Sequence, residues 1–284
     1  MHIVQIAEGE AIFFNANKFA LKSSECISLS EFFKNHASCS SLYQGLKAAP
    51  TVVEELTTKH TIVQLAFLRC LQRPDHFLCV ANTHLYFHPM GDHIRLIQVE
   101  ISLKLIKTTL DAFKETVGPQ STVAVLFCGD FNSCPCIAAY HYMLTGSVSK
   151  QHPDWMVYKL TEVPRCACNP RPPALGAEGE MEEGTEQGSV WPVCSQVSVD
   201  DSFEGLDLCH GFQFQNATGT VGYTNYTSGY RGVLDYIFVD SDNLSVERTI
   251  PLPSLEEISE FVALPSVYFP SDHLALVADL KWNS

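Results

Sequence analysis

Val123-Ala124-Val125-Leu126-Phe127-Cys128-Gly129-Asp130-Phe131-Asn132-Ser133-Cys134-Pro135 is the stretch from which the fold can be read. It opens as an unbroken apolar run, the pattern of a strand buried on both faces. It closes on Gly129-Asp130-Phe131-Asn132. Residues two apart on an extended backbone share a face, so a strand here puts the Asp130 carboxylate and the Asn132 carboxamide side by side at a sheet edge. A plain strand running into an Asx turn accounts for the same two residues, and on this stretch alone both readings stay open. Ser133 and Pro135 then start an expected helix through Ala139, Tyr140 and Met143 that stops near Gly146.

The flanking sequence supplies the rest of a sheet. Thr61–Leu68 and His76–Leu85 are apolar runs separated by the turn Gln72-Arg73-Pro74-Asp75, which predicts an antiparallel hairpin whose second strand presents His84. Asp92 to Val117 is the clearest helix. Ile94, Ile97, Ile101 and Leu105 make one apolar line, and Leu103, Ile106, Leu110 and Phe113 make its neighbour. Gly118-Pro119 stops it. Upstream, Met1–Ala7 reads as a strand already inside a domain, Glu8–Phe14 as a turn into a short strand, and Lys18–Leu29 as a strand region. Thr51 is expected to cap a short helix through Val53 and Leu56. Downstream, Gly232–Asp240 is a strand with Asp235 embedded in it, and Ser245–Ile250 is another. Ser254 and Glu257 form a capping box, and Leu274–Leu280 closes the chain.

Composition bounds the function. A hydrophobic fraction of 46% supports a core. No apolar run reaches the length of a membrane span, and the first residues resemble neither a signal peptide nor a transit sequence. Eleven scattered cysteines read as reduced thiols of an intracellular protein. Cys166-Ala167-Cys168 lacks the partner pair that a zinc site needs. A formal charge of −14 argues against a long basic track along a duplex. Part of that charge comes from Cys168–Asp201, rich in Pro, Gly and Glu and without periodic apolar positions. It reads as a disordered acidic insertion at about 168–201 within one domain spanning 1–284.

His84, Asp130, Asn132, Asp235, Asp272 and His273 all fall within strands or at strand ends, where a compact sheet can bring them together. A carboxylate inside an apolar strand needs a partner, and His273 is the candidate for Asp235, which would orient the imidazole and favour its charged form. Asp130 and Asp272 could hold a hard cation such as Mg²⁺. Asn132 can donate to a phosphate oxygen. Two histidines, an amide and carboxylates of this kind suit metal-assisted hydrolysis of a phosphodiester. The sequence carries no Gly-rich nucleotide cradle, nucleophile elbow or HExxH motif, so kinase, α/β-hydrolase and zincin chemistry have little support.

Thr83-His84-Leu85, Gly129-Asp130-Phe131-Asn132-Ser133, Leu234-Asp235-Tyr236-Ile237-Phe238 and Ser271-Asp272-His273-Leu274, in that order, resemble the endonuclease/exonuclease/phosphatase superfamily. Arg95-Leu96-Ile97-Gln98 and Tyr223-Thr224-Asn225-Tyr226 resemble its deadenylase-like branch. Ile250–Ser254, Leu264–Val267 and Asp279–Trp282 are similar to mitochondrial members that cut 2′,5′-phosphodiester bonds. The resemblance implies an α/β fold, a two-layered β-sandwich flanked by helices with the site at one end of the sheets. It implies that Asp130 activates water and contacts metal, that Asp272 lies near the metal, and that Asn132 binds phosphate. His273 would stabilise the developing charge, oriented by Asp235, and His84 would contact the scissile phosphate. Asn225 would join the substrate site, and Pro89 and Tyr230 would flank an adenine. The cofactor implied is Mg²⁺, with Mn²⁺ as the alternative.

The implied activity is release of AMP from 2′,5′-oligoadenylate or from poly(A) at an RNA 3′ end, without a membrane or an obligate protein partner. The implied setting is the mitochondrial matrix, or the cytoplasm if the chain is complete as given. Relatives begin with two strands carrying an Asn motif and a Gln-Glu metal ligand, and this chain starts after them. An N-terminally truncated, catalytically silent homologue that binds adenylate or a partner is therefore the alternative reading. An abasic-site endonuclease or a sphingomyelinase fits the Thr-Asn-Tyr and Arg-Leu-Ile-Gln segments less well.

Overall fold

The computed structural model describes residues 9–159 and 203–283. Along the chain run β1 (Phe19–Ser28), α1 (Leu29–Asn35), α2 (Ser40–Gly45), α3 (Pro50–Thr58), β2 (Ile62–Cys70), β3 (His76–His84), α4 (Asp92–Val117), β4 (Thr122–Asp130) and α5 (Ala138–Thr145). Then follow β5 (Ser147–Val148), β6 (Leu208–Cys209), β7 (Phe214–Asn216), β8 (Asn225–Tyr226), β9 (Arg231–Gly232), β10 (Asp235–Asp240), β11 (Leu244–Thr249), α6 (Leu255–Ser259) and β12 (Ala278–Trp282). The main sheet has six strands in the order β1-β2-β3-β4-β10-β7. The β2–β3 hairpin and helix α4 lie where the sequence predicts them. β3 and β4 run parallel, which requires a crossover, and α4 is that crossover.

The apolar run of β4 is continuous because both its faces are covered. Val123, Val125 and Phe127 share one core with Ile94, Ile97, Ile101 and Leu105 of α4. Ala124 and Leu126 share another with Val246, Leu280 and Trp282 of the β11–β12 ribbon. Burying each Ile or Leu of the α4 line stabilises the fold by about 1.5–3 kcal/mol. The chain is thus a mixed α/β fold, a large sheet with helices on one face and, among the described residues, a two-stranded ribbon on the other.

Several elements depart from the sequence expectations for identifiable reasons. The helix after Pro135 begins only at Ala138, whose N–H donates to the Asp154 carboxylate at 2.6 Å; Ser133 is buried instead of capping. Its stop at Gly146, with φ 75°, is as expected. Thr51 lies inside α3, because Pro50 takes the first helical position after Ala49. Residues 9–14 form no strand. The short helices α1 and α2 bury Phe32, Phe33 and Leu42 and were not anticipated. The closing strand is shifted to Ala278–Trp282, since the preceding residues are tied to β8. Cys136 is disulfide-bonded, contrary to an all-reduced set, whereas Cys26, Cys39, Cys70, Cys79, Cys128, Cys134 and Cys209 are free. The proposed strand Met1–Ala7 and the insertion at 168–201 lie outside the described residues.

One glycine controls how closely β3 and β4 approach. Gly129 has φ 141°, and a Cβ built on it would lie 1.9 Å from the Thr83 carbonyl oxygen. Thr83 cannot yield, because it is buried and its hydroxyl donates to the Ile62 carbonyl at 2.7 Å. Gly129→Ala should therefore lower the unfolding free energy by about 2–5 kcal/mol through strain and overpacking. Gly222→Ala, which meets open space, should stay within about 0.5 kcal/mol. Urea denaturation of both variants checks this; equal midpoints would contradict it.

Candidate active site

Strand register assembles the site. Asp130 ends β4; His84 is opposite it on β3, and Asp235 is opposite it on β10. The three side chains therefore leave three adjacent strands in one row. Backbone bonds continue past the strand ends, Leu85 N–H to Asp130 O at 2.9 Å and Phe131 N–H to Leu234 O at 2.8 Å, so the row does not fray. Asp235 is the first residue of its strand and not an interior one, as the sequence had suggested. The residues before it form the β8–β9 ribbon.

The backbone leaves its extended form immediately after Asp130. Asn132 has φ 47°, a left-handed conformation that Asn tolerates better than most residues. Its N–H donates to Asp130 Oδ1 at 2.8 Å, an Asx turn, and its amide donates to Leu85 O at 2.9 Å. The Asx turn and the paired polar groups are therefore one arrangement. Asn132 reaches the site through a turn, not through the pleat alternation first expected.

His273 arrives from the C-terminal segment. It is bridged to Asn225, and the neighbouring Leu274 N–H donates to Thr224 O at 2.8 Å. Its Nδ1 lies 2.8 Å from Asp235 Oδ2, and its Nε2 lies 3.8 Å from Asp130 Oδ2. His84 Nε2 approaches the same Asp130 oxygen at 3.6 Å. The Asp235 hydrogen bond outweighs the cost of burial, with help from the charges of Asp235, Asp130 and Asp272, and pushes the His273 imidazole up to about 9. Asp130 moves up to about 6, because burial and then the adjacent Asp235 carboxylate disfavour its charge more than the two histidines favour it.

The expected substrate and metal residues divide. Asp130, Asp235 and His273 bring ligand atoms within 4.8 Å of one another, a group that could hold a metal ion. Asp272, expected beside Asp130, stands outside that group, and its carboxylate accepts a bond from the Asn225 amide at 3.1 Å. Asn225 is itself buried, so it braces Asp272. Tyr230 is half-buried with its hydroxyl 3.5 Å from Cys134 Sγ, and its ring lies against Gly232. Pro89 is half-buried in the loop after β3.

Sequence reasoning did not assign Thr224 a role. It is fully buried, and its hydroxyl accepts from the N–H groups of Leu234 and Asp235 at 2.9 and 3.1 Å, which fixes the start of β10. Its place beside Asn225 in Tyr-Thr-Asn-Tyr was the available signal. Arg95 and Gln98, read as part of a motif, are loop anchors. Arg95 donates to Tyr86 O and His88 O, and Gln98 accepts from Tyr86 N–H. A cavity of about 700 Å³ near Phe77 and Phe113 lies at the far end of the sheet and includes none of the site residues. No helix among the described residues is long and apolar enough to cross a membrane.

Residues 65–273 match the model of the Endonuclease/Exonuclease/phosphatase family. The chain is 37% identical over 277 residues to mouse (Mus musculus) 2′,5′-phosphodiesterase 12, covering 97% of this chain and 38% of that protein. It is 25% identical over 317 residues to the CCR4-Not complex 3′-5′-exoribonuclease subunit Ccr4 of Coccidioides immitis, covering 99% and 36%. The chain therefore spans well under half the length of these relatives. A crystal structure of ANGEL2, a 2′,3′-cyclic phosphatase, has the same fold with a TM-score of 0.61 at 20% identity, covering 94% of this chain and 68% of that one.

The raised His273 fixes a pH dependence. A histidine held above its ordinary value contributes stability fully below pH 6.5, and that stability is lost as pH rises through about 9. In metal-free protein the His273 ring should titrate near 9 by imidazole NMR. In Asp235→Asn it should fall toward the ordinary histidine range, having lost its principal partner. An unchanged midpoint in the variant would contradict the assignment.

Proposed function

This chain belongs to the Endonuclease/Exonuclease/phosphatase family, and from that premise we propose that it is a Mg²⁺-dependent phosphodiesterase that releases AMP from 2′,5′-oligoadenylate or from poly(A) at an RNA 3′ end. The observation that carries the reading is the row His84–Asp130–Asp235 with His273 hydrogen-bonded to Asp235. The substrate class rests on the similarity to a 2′,5′-phosphodiesterase and to a 3′-5′-exoribonuclease subunit.

The donor chemistry fits a hard cation. Asp130 is buried beside a second carboxylate, and its charge is disfavoured until a cation is near. Asp130 would hold the ion, and Mg²⁺ bound there would acidify water and neutralise phosphate charge. The chain's own groups do the rest. Asp130 takes a proton from the attacking water. His273, kept protonated by Asp235, offers Nε2–H to the charge that builds on the phosphoryl oxygens. Asn132 spends one amide hydrogen on Leu85 O and has a second to donate to phosphate. His84 faces the same oxygen of Asp130 from the other side.

Asp130→Asn keeps the shape of the site and removes its charge and basicity. Oligoadenylate hydrolysis in Mg²⁺ should fall by at least about a hundredfold, the low end for losing a general base. Full activity in the variant would remove Asp130 from the chemistry. Oligoadenylate binding by the unmodified chain without hydrolysis in any divalent cation would instead favour the silent, adenylate-binding reading.

Adenine specificity falls to Tyr230 and Pro89 in this proposal. Stacking a base on an aromatic is worth about 1–3 kcal/mol. Tyr230→Ala should therefore lower kcat/KM on oligoadenylate by roughly five- to a hundredfold, mainly through KM. A chromogenic phosphodiester without a base should be affected much less. Equal losses on both substrates would mean that Tyr230, with its hydroxyl on Cys134, supports the fold of the site and does not read the base.

A further inference from the structure

Tyr236 follows Asp235 in β10 and stands opposite Gly129 of β4. Alternation sends Asp235 to the site face of the sheet and Tyr236 to the helix face. Tyr236 is 2% exposed, and its ring packs among Phe131, Tyr140 and Phe238, with centroids 5.9, 4.9 and 5.2 Å away. A buried phenol needs a partner for its hydrogen. The Tyr236 hydroxyl donates to Ser133 O at 2.6 Å and lies 3.1 Å from Val233 O. One hydrogen shared between two carbonyls is a three-centre bond, with Ser133 O the nearer acceptor. Burial pushes the phenol up from the ordinary tyrosine value, so the hydrogen stays in place at neutral pH.

Ser133 is the residue after Asn132, and Asn132 is held in a left-handed conformation at φ 47°. A conformation of that kind, outside glycine, persists where the surroundings over-determine it. Before the turn, Phe131 N–H donates to Leu234 O at 2.8 Å. Asn132 itself is tied twice, by its N–H to Asp130 Oδ1 and by its amide to Leu85 O. After the turn, the bond from Tyr236 is the only hydrogen bond to Ser133 O among the described residues. Ser133 is 1% exposed, so water does not stand in for the phenol. We propose that Tyr236 is a positioning residue whose hydroxyl locks the peptide after Asn132 and so fixes the direction in which the Asn132 amide meets the substrate phosphate. The phosphate in this statement rests on the phosphodiesterase reading; the lock on the turn does not. Tyr236 meets no reacting group and acts through Asn132.

The test is Tyr236→Phe, which removes the hydroxyl and keeps the ring. On oligoadenylate in Mg²⁺, kcat/KM should fall by about ten- to a hundredfold, the span of a slightly misplaced positioning group. The discriminating step is the same substitution in Asn132→Ala protein. There the tyrosine has nothing left to position, and its loss should cost less than about twofold. A merely structural tyrosine would cost the same in both backgrounds. Tyr140→Phe takes a hydroxyl from the neighbouring ring without touching the turn and should leave kcat/KM unchanged. Native-state hydrogen exchange at the Asn132 N–H reads the lock without turnover, and in Tyr236→Phe it should quicken by at least about fivefold. An equal cost in both backgrounds, or unchanged exchange at Asn132, would overturn the proposal. Quickened exchange in the variant, together with no turnover by the unmodified chain, would overturn the phosphodiesterase reading and leave Tyr236 as the lock of the turn.

Discussion

The register between β3, β4 and β10 is the constraint on which the rest of the structure depends. A slip of one residue would send every side chain of a strand to the opposite face and would scatter His84, Asp130 and Asp235. Both faces of β4 are buried, so a slip would also exchange Val123, Val125 and Phe127 with Ala124 and Leu126 between two cores packed for different side-chain volumes. The register is pinned at the site end by Gly129, whose missing Cβ lets the Thr83 carbonyl approach. The glycine of Gly-Asp-Phe-Asn is thus a steric requirement of the sheet, and the aspartate after it inherits its position from that requirement.

From the row follows the electrostatic design. Two carboxylates on neighbouring strands repel, and burial amplifies the repulsion. The imidazole of His273 relieves one of them through a short hydrogen bond to Asp235, and in doing so becomes a stable cation at neutral pH. Asp130 accepts the Asn132 N–H on one oxygen and meets His84 and His273 only at longer range on the other, so burial and the neighbouring carboxylate still disfavour its charge. Such an asymmetric pair is suited to two different tasks, one group orienting a proton donor and the other meeting a cation or a water. Thr224 and Asn225 hold the two halves together, since the first fixes the N–H groups at Asp235 and the second bridges to His273 and braces Asp272.

Much of this was legible in the residues. The continuous run ending at Asp130, the two apolar lines of α4 and the Pro-Asp turn of the hairpin report local periodicities that tertiary packing reinforces. The pairing of Asp235 with His273 followed from the cost of a carboxylate in an apolar strand. What failed to show were features set by non-local contacts. The strand start at Asp235 depends on Thr224, the delayed start of α5 depends on Asp154, and the shift of the last strand depends on the bridge from His273 to Asn225. Asn132 and Asp272 were paired with Asp130 by spacing and by resemblance. The fold reaches Asn132 through a left-handed turn and engages Asp272 with an amide, distinctions that two-residue periodicity cannot register. Arg95 and Gln98 were visible as letters of a motif, but their work as anchors of the loop carrying Phe87 and Pro89 required coordinates.

The central claim is that this row of side chains is a metal-dependent phosphodiesterase centre. Its most direct test is the time course of AMP release from oligoadenylate by the purified chain, first stripped with chelator and then titrated with Mg²⁺ from zero. The account predicts no release without the cation and a saturable rise in AMP as it is added. AMP release that is unaffected by chelation, or none at any Mg²⁺ or Mn²⁺ concentration, would contradict it.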